Sequence, residues 1–182
     1  MGFFISKLYN NKEYKILLLG LEGTGKTSIL NLLETPDNIQ IKDVSSQRRE
    51  IIPTIGFNIG HIEFNKRNIT IWDLSGNISI RKYWKCYYSY VDGVVFLIDA
   101  SSKNTKEESF ELIKRIAKEN ELKNSTILVL LNKTDLNNFI SYEEVESVMD
   151  QFNTTKKYGI FGCNIFDKTS VILAFDWLIK NI

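Results

Sequence analysis

Hydrophobic positions in this chain fall into two rhythms that alternate along its length. Ile16-Leu17-Leu18-Leu19 is an unbroken apolar run ending at Gly20, and Gly93 to Ile98 and Thr126 to Leu131 repeat the pattern. Short continuous runs of this kind predict strands buried on both faces of a parallel sheet. Gly56 to Phe64 and Asn68 to Leu74 alternate instead, and the polar Asn65-Lys66-Arg67 between them predicts a hairpin. Helical spacing follows Gly20 from Lys26 through Leu33. It returns over Lys106 to Glu121, with Phe110, Ile113, Ile116 and Ala117 on one face. Tyr142 to Phe152 is a further amphipathic stretch, followed by a short strand near Gly159 to Cys163 and a last helix near Thr169 to Lys180. Repeated strand–helix units with buried central strands predict an α/β fold, a doubly wound sheet with helices on both faces. Thr35 to Glu50 breaks the rhythm: it is polar, holds one of only two prolines, and reads as an exposed loop.

Composition narrows the function classes. The 182 residues suit one domain, and the formal net charge of +1 supplies no field that would draw nucleic acid. The two cysteines, Cys86 and Cys163, lie far apart, follow no metal-ligand spacing and fit a reducing cytosolic setting. No apolar run approaches the ~18–20 residues that span a bilayer. Met1 to Ile5 is too short for a signal-peptide core, which argues against secretion.

Chemistry concentrates at strand ends. Gly20-Leu21-Glu22-Gly23-Thr24-Gly25-Lys26-Thr27, with Ser28 next in line, fits the phosphate-binding pattern G-x-x-x-x-G-K-[ST] between a predicted strand and a predicted helix. Its glycines let several backbone N–H groups converge on one phosphate, and the helix N-terminus adds a favourable dipole. Lys26 would reach the β- and γ-phosphates, and the Thr27 hydroxyl would coordinate Mg²⁺. This motif alone leaves kinases, ATPases and GTPases open. Asn132-Lys133-Thr134-Asp135 narrows the choice, because it fits the guanine motif N-K-x-D at the end of another strand. The Asp135 carboxylate can accept paired hydrogen bonds from guanine N1–H and its exocyclic amine, which adenine cannot offer. Asn132 would tie this loop to the base or the phosphate loop, with the Lys133 stem across the ring. Asp73-Leu74-Ser75-Gly76 fits D-x-x-G, with Asp73 reaching Mg²⁺ through water and the Gly76 N–H sensing the γ-phosphate. The Thr54 hydroxyl would be the second protein ligand of the metal.

Ile52-Pro53-Thr54-Ile55-Gly56-Phe57-Asn58, then Trp72 to Gly76, Ile80-Arg81 and Trp84, and finally Phe175-Asp176-Trp177-Leu178, resemble the ADP-ribosylation factor family over essentially the whole chain. The resemblance implies a P-loop G domain over residues 15–182, with a mostly parallel six-stranded sheet. Residues 1–14 would form an amphipathic arm, and residues 35–51 an extended loop before the first switch. It implies GTP/GDP and Mg²⁺ as ligands, an exchange factor, a GTPase-activating protein and effectors as partners, and Phe57, Trp72 and Tyr87 as the effector-binding aromatics. It further implies a cytoplasmic protein, peripheral on intracellular membranes such as the Golgi, that cycles between GDP and GTP states to regulate membrane trafficking.

Departures from the family pattern bear on catalysis, which the resemblance assigns to Lys26, Gly76 and Asn77. Family members carry Gly-Gly-Gln where this chain has Ser75-Gly76-Asn77. The glutamine orients the attacking water, and Asn77 is one methylene shorter. A misplacement of about 1 Å costs ~10²-fold, so hydrolysis is expected to be slow, and a GTP-binding scaffold without useful hydrolysis stays open as the alternative. The second base-contacting loop is altered too, reading Cys163-Asn164-Ile165-Phe166, with Asn164 and Ile165 at the backbone contacts to the base. An ATP-using kinase is disfavoured by Asn132 to Asp135. Met1-Gly2-Phe3-Phe4-Ile5-Ser6 fits the N-myristoylation signal, with Gly2 as the acylated residue and Phe4, Ile5 and Leu8 able to share a helical face. His61, the only histidine, lies mid-strand and is expected to be a packed or solvated surface residue.

Overall fold

A computed structural model describes residues 12–35, 54, 56–137, 140–151 and 156–182. Six strands, β1 (Glu13–Gly20), β2 (Phe57–Phe64), β3 (Arg67–Leu74), β4 (Gly93–Asp99), β5 (Thr126–Asn132) and β6 (Tyr158–Gly162), form one sheet in the order β2-β3-β1-β4-β5-β6. Only β2 runs antiparallel to its neighbour, pairing Phe57 with Leu74 through Phe64 with Arg67. The other pairings are parallel. Asn65 and Lys66 turn the hairpin at positive φ, 50° and 63°.

Helices α1 (Lys26–Glu34), α2 (Lys106–Lys118), α3 (Tyr142–Asp150) and α4 (Lys168–Asn181) cover the two faces. The unbroken apolar runs divide by parity, because successive strand side chains point to opposite faces. Leu17, Leu19, Val94, Phe96, Ile127 and Val129 pack against Phe110 and Ile113 of α2 and Val145 and Met149 of α3. Ile16, Leu18, Val95, Leu97, Leu128 and Leu130 pack against Ile29 and Leu30 of α1 and Val171, Phe175 and Leu178 of α4. Every one of these side chains is buried, so each central strand serves two cores at once.

Most predicted elements are present within one or two residues of the expected bounds. The helix predicted over Lys106 to Glu121 ends at Lys118, where the chain turns extended at Glu119 and continues as a 3₁₀ turn over Asn120–Leu122. Lys156 meets that end, donating to the carbonyls of Ile116 (3.0 Å) and Glu119 (2.9 Å), so a buried cation closes the helix C-terminus. The sequence pattern missed the 3₁₀ segment Arg81–Tyr87, whose one buried side chain, Trp84, leaves no period to detect. His61 is solvated and bonds Thr70 across the hairpin at 3.0 Å, as expected for a surface histidine. Residues 1–11, with Gly2, residues 36–50 of the loop before the first switch, and Phe152 lie outside the described residues.

Parallel strands deliver their C-terminal ends to one edge of the sheet, where open α/β sheets bind ligands. Gly20, Leu74 and Asn132 are the last residues of β1, β3 and β5, so the three motifs start from a common edge.

Candidate nucleotide site

The loop from Gly20 to Thr27 curls through left-handed backbone at Gly23 (φ 75°) and Gly25 (φ 97°), the latter capping α1. A side chain at Gly25 would strike Asn132 Nδ2 at 2.4 Å, so the motif needs glycine there for close approach as well as for φ. Lys26 is buried, and its ammonium donates to Leu21 O at 2.7 Å, folding back inside the loop's own curve. Burial pushes its pKa down to about 8, partly offset by the negative charge of Asp73. Thr24 Oγ1 donates to the same carbonyl at 2.9 Å. Ser28 follows Thr27 in the first turn of α1, half-buried.

Four side chains from separate segments meet beside this loop. Thr27 Oγ1 donates to Asp73 Oδ2 at 2.6 Å and lies 2.9 Å from Thr54 Oγ1. Asn58 Nδ2 donates to Asp73 Oδ2 at 3.3 Å and to Thr54 Oγ1 at 3.5 Å. Asp73 is fully buried, and burial raises its pKa against the opposing hydrogen bond from Thr27 and the charge of Lys26. Its other oxygen, Oδ1, is buried with no partner. An orphaned carboxylate oxygen beside two hydroxyls fits a hard divalent cation such as Mg²⁺, which takes one or two carboxylates and completes its shell with water and phosphate. Thr27 and Thr54 would hold the ion directly, and when bound it would neutralise charge on the phosphate oxygens.

The second switch begins tightly against the phosphate loop. A Cβ on Gly76 would lie 2.4 Å from Leu21 C, 2.5 Å from Glu22 N and 2.6 Å from Gly20 O. Each carbonyl that follows Leu74 is taken up locally. Ser75 O accepts from Trp84 Nε1 at 3.0 Å, Gly76 O from Arg81 Nε at 2.6 Å, and Asn77 O from the amides of Ile80 and Arg81. The Asn77 carboxamide is engaged at both ends: Oδ1 accepts from Ser79 N and Oγ at 3.0 and 2.7 Å, and Nδ2 donates to Glu22 Oε2 at 3.3 Å. Asn77 therefore holds together the turn over residues 77–80 that leads into the 3₁₀ segment Arg81–Tyr87.

At the base end, Asn132 Nδ2 donates to Thr24 O at 2.7 Å, fastening the guanine motif to the phosphate loop. Cys163 Sγ donates to Asn132 Oδ1 at 3.6 Å, and burial pushes this thiol up to about 12. Thr134 donates to Cys163 O through its backbone amide (3.2 Å) and its hydroxyl (3.0 Å), which joins the loops after β5 and β6. Asp135 is exposed between them. Lys133 adopts a positive φ of 67°, and its ammonium pairs with Asp99 at 2.6 Å. Burial would raise the Asp99 pKa, but hydrogen bonds from Lys133 and Ser101 outweigh it and hold the carboxyl below its ordinary value. The loop carrying Asn164 and Ile165 is set by Asn164, whose Oδ1 accepts from Phe166 N at 2.9 Å and whose own amide donates to Ser170 Oγ at 3.2 Å.

Phe57, Trp72 and Tyr87 come together as one cluster with ring centroids 5.4–5.6 Å apart. Lys15 underpins it, lying 5.4 Å from the Trp72 ring centroid and donating to Tyr87 O at 2.7 Å. The structure thus gathers the phosphate-loop residues, Thr54, Asp73, Gly76 and Asn132 at one place. Sequence reasoning missed Asn58, Asp99 and Lys15. Asn58 had a signal in its place two residues after Gly56 on an alternating strand, whereas Asp99 and Lys15 carry none until strand pairing is known.

The chain is 32% identical to ADP-ribosylation factor J of Dictyostelium discoideum, with all of this chain and 94% of that protein covered. It is 31% identical to ADP-ribosylation factor-like protein 1 of Saccharomyces cerevisiae, covering 100% and 97% of the two chains. The solved structure of the Arl6 BBS3 small GTPase from Trypanosoma brucei, which holds the nucleotide analogue GppNp, shares the fold. Its TM-score is 0.77 at 22% identity, over 93% of this chain and 96% of that one. Residues 1–182 match the ADP-ribosylation factor family throughout, and the chain belongs to that family of small GTPases.

Proposed function

We propose that this protein is a Mg²⁺-dependent guanine-nucleotide switch that acts at membranes, with slow intrinsic hydrolysis. The observation that carries the reading is the Asn132 Nδ2 to Thr24 O bond, which makes one continuous site of a phosphate loop and a guanine motif 108 residues apart. Lys26 would release Leu21 O for the β- and γ-phosphates, Thr27 and Thr54 would hold the metal with Asp73 behind them, and Asp135 would read the base. In the GTP state the Gly76 amide would bind the γ-phosphate and draw Thr54 and the β2–β3 hairpin with it, as switch proteins do. Family membership supports an exchange factor, a GTPase-activating protein and effectors as partners, the last on the Phe57–Trp72–Tyr87 cluster, and a role in membrane trafficking.

Base selectivity tests the reading. GDP should displace a fluorescent guanine nucleotide orders of magnitude better than ADP, and Asp135→Asn should shift preference toward xanthine nucleotides by reversing the hydrogen-bond demand at that edge. Equal competition by ADP and GDP would end the guanine assignment. A second reading, a GTP-binding scaffold without useful hydrolysis, draws on the commitment of the Asn77 carboxamide to Ser79 and Glu22. A single-turnover rate on the order of 10⁻⁴ s⁻¹ or slower fits an unaided GTPase of this class, and no turnover at all favours the scaffold.

A further inference from the structure

Resting on the GTPase reading, we propose that Glu22 is the catalytic residue that holds the attacking water in this chain. The Asn77 Oδ1 is occupied by the amide and hydroxyl of Ser79, and turning it toward a water would break both bonds and loosen the turn that leads into the Arg81–Tyr87 segment. What Asn77 retains is its Nδ2, and that donates to Glu22 Oε2 at 3.3 Å. The carboxamide therefore positions a carboxylate.

Glu22 stands where such a carboxylate can act. Its side chain is exposed on the phosphate loop, and its backbone nitrogen is among the three atoms that a Cβ on Gly76 would strike. Glu22 is thus next to the amide expected to sense the γ-phosphate, on the loop whose Leu21 carbonyl anchors Lys26. Asp73, the site's buried carboxylate, takes Thr27 and Asn58 at Oδ2, and its unpartnered Oδ1 is the oxygen that fits the metal.

In the step, the Glu22 carboxylate accepts a hydrogen bond from water as the water oxygen bonds the γ-phosphorus. The bond from that phosphorus to the β–γ bridging oxygen breaks, and its electron pair leaves with GDP. The water proton passes by way of the carboxylate to the released phosphate, so no further reactant is needed. The arrangement has a cost, since an anion beside the γ-phosphate repels it and weakens GTP binding relative to a neutral side chain.

The test is single-turnover hydrolysis by the full-length protein loaded with GTP, comparing wild type with Glu22→Gln and Glu22→Asp, alongside GDP and GTP affinities. Glutamine keeps an oxygen for Asn77 Nδ2, so a purely structural role leaves the rate where it was. A catalytic carboxylate predicts a rate about tenfold or more lower in Glu22→Gln and an intermediate rate in Glu22→Asp. GDP affinity should hold and GTP affinity should be equal or tighter. A Glu22→Gln rate equal to or above wild type overturns the proposal, and so does a wild type that binds GTP with guanine selectivity but never turns it over. Failure of the wild type to bind guanine nucleotides would instead overturn the GTPase reading itself.

Discussion

Cys163 and Cys86 show how one residue type takes opposite chemistry from its position. Cys163 is buried with its thiol against Asn132, while Cys86 is exposed on the 3₁₀ segment. Burial lifts the Cys163 thiol from an ordinary 9.0 to about 12. Between those values the folded state keeps a proton that the unfolded chain has lost. The contribution is therefore intact below pH 9 and is lost as pH rises toward 12. At pH 8 iodoacetamide should label Cys86 in the native protein and reach Cys163 only after denaturation, read by peptide mass mapping. Equal labelling rates for the two would contradict the packing around Asn132. At this scale the sequence was informative wherever a motif fixes both residue type and backbone shape, as at Gly25, Lys26 and Asp73. It was silent on the Glu22–Asn77 contact, which joins segments far apart in sequence, and for Asn58 it gave only a place on an alternating strand and not the Asp73 opposite it across the hairpin.

Helix α3 carries the clearest capping signal of any element. Ser141 Oγ accepts from Glu144 N at 3.3 Å, and the Glu144 carboxylate accepts in turn from Ser141 N at 3.0 Å, a reciprocal capping box. Glu144 also takes Lys106 from the start of α2, so the cap joins two helices. Ser141→Ala should cost about 1 kcal/mol and lower the melting temperature by roughly 2–4 °C in a protein of this size. An unchanged melting curve would mean that the packing of Val145 and Met149 alone sets the helix start. The segment Arg81–Tyr87 is the opposite case. It is held by tertiary bonds, Arg81 to Glu108 of α2 at 2.5 Å and Lys85 to Glu119 just past the end of α2 at 2.6 Å. Elements made by periodicity were legible beforehand, and an element made by ion pairs to a distant helix was not.

For the whole molecule, unbroken apolar runs alternating with helical stretches were enough to foresee a doubly wound sheet with helices on both faces. The order β2-β3-β1-β4-β5-β6, by contrast, depends on pairings between distant segments that no local pattern records. Among the described residues no helix is long and apolar enough to cross a membrane. On the proposed reading, attachment uses the front of the chain. One myristoyl chain on Gly2 binds bilayers only marginally and needs a second contribution, which Phe3, Phe4, Ile5 and Leu8 can supply. Nucleotide control requires the arm to meet different partners in the two states. Acylated protein should therefore sediment with liposomes far more when loaded with a GTP analogue than with GDP, and Gly2→Ala should abolish sedimentation. Equal sedimentation in both states would remove the membrane gate and leave the nucleotide switch standing.

The bond from Asn132 to the phosphate loop has a consequence for how the protein lets go. Because the Asn132–Asp135 loop hangs from the Gly20–Thr27 loop, the two halves of a nucleotide bound as proposed would share one latch. A partner that pried only at the phosphate side would pull Thr24 away from Asn132 and slacken the grip on guanine at the same moment. On the proposed reading, opening one end would loosen the other, and a catalyst of exchange would need no foothold near the base.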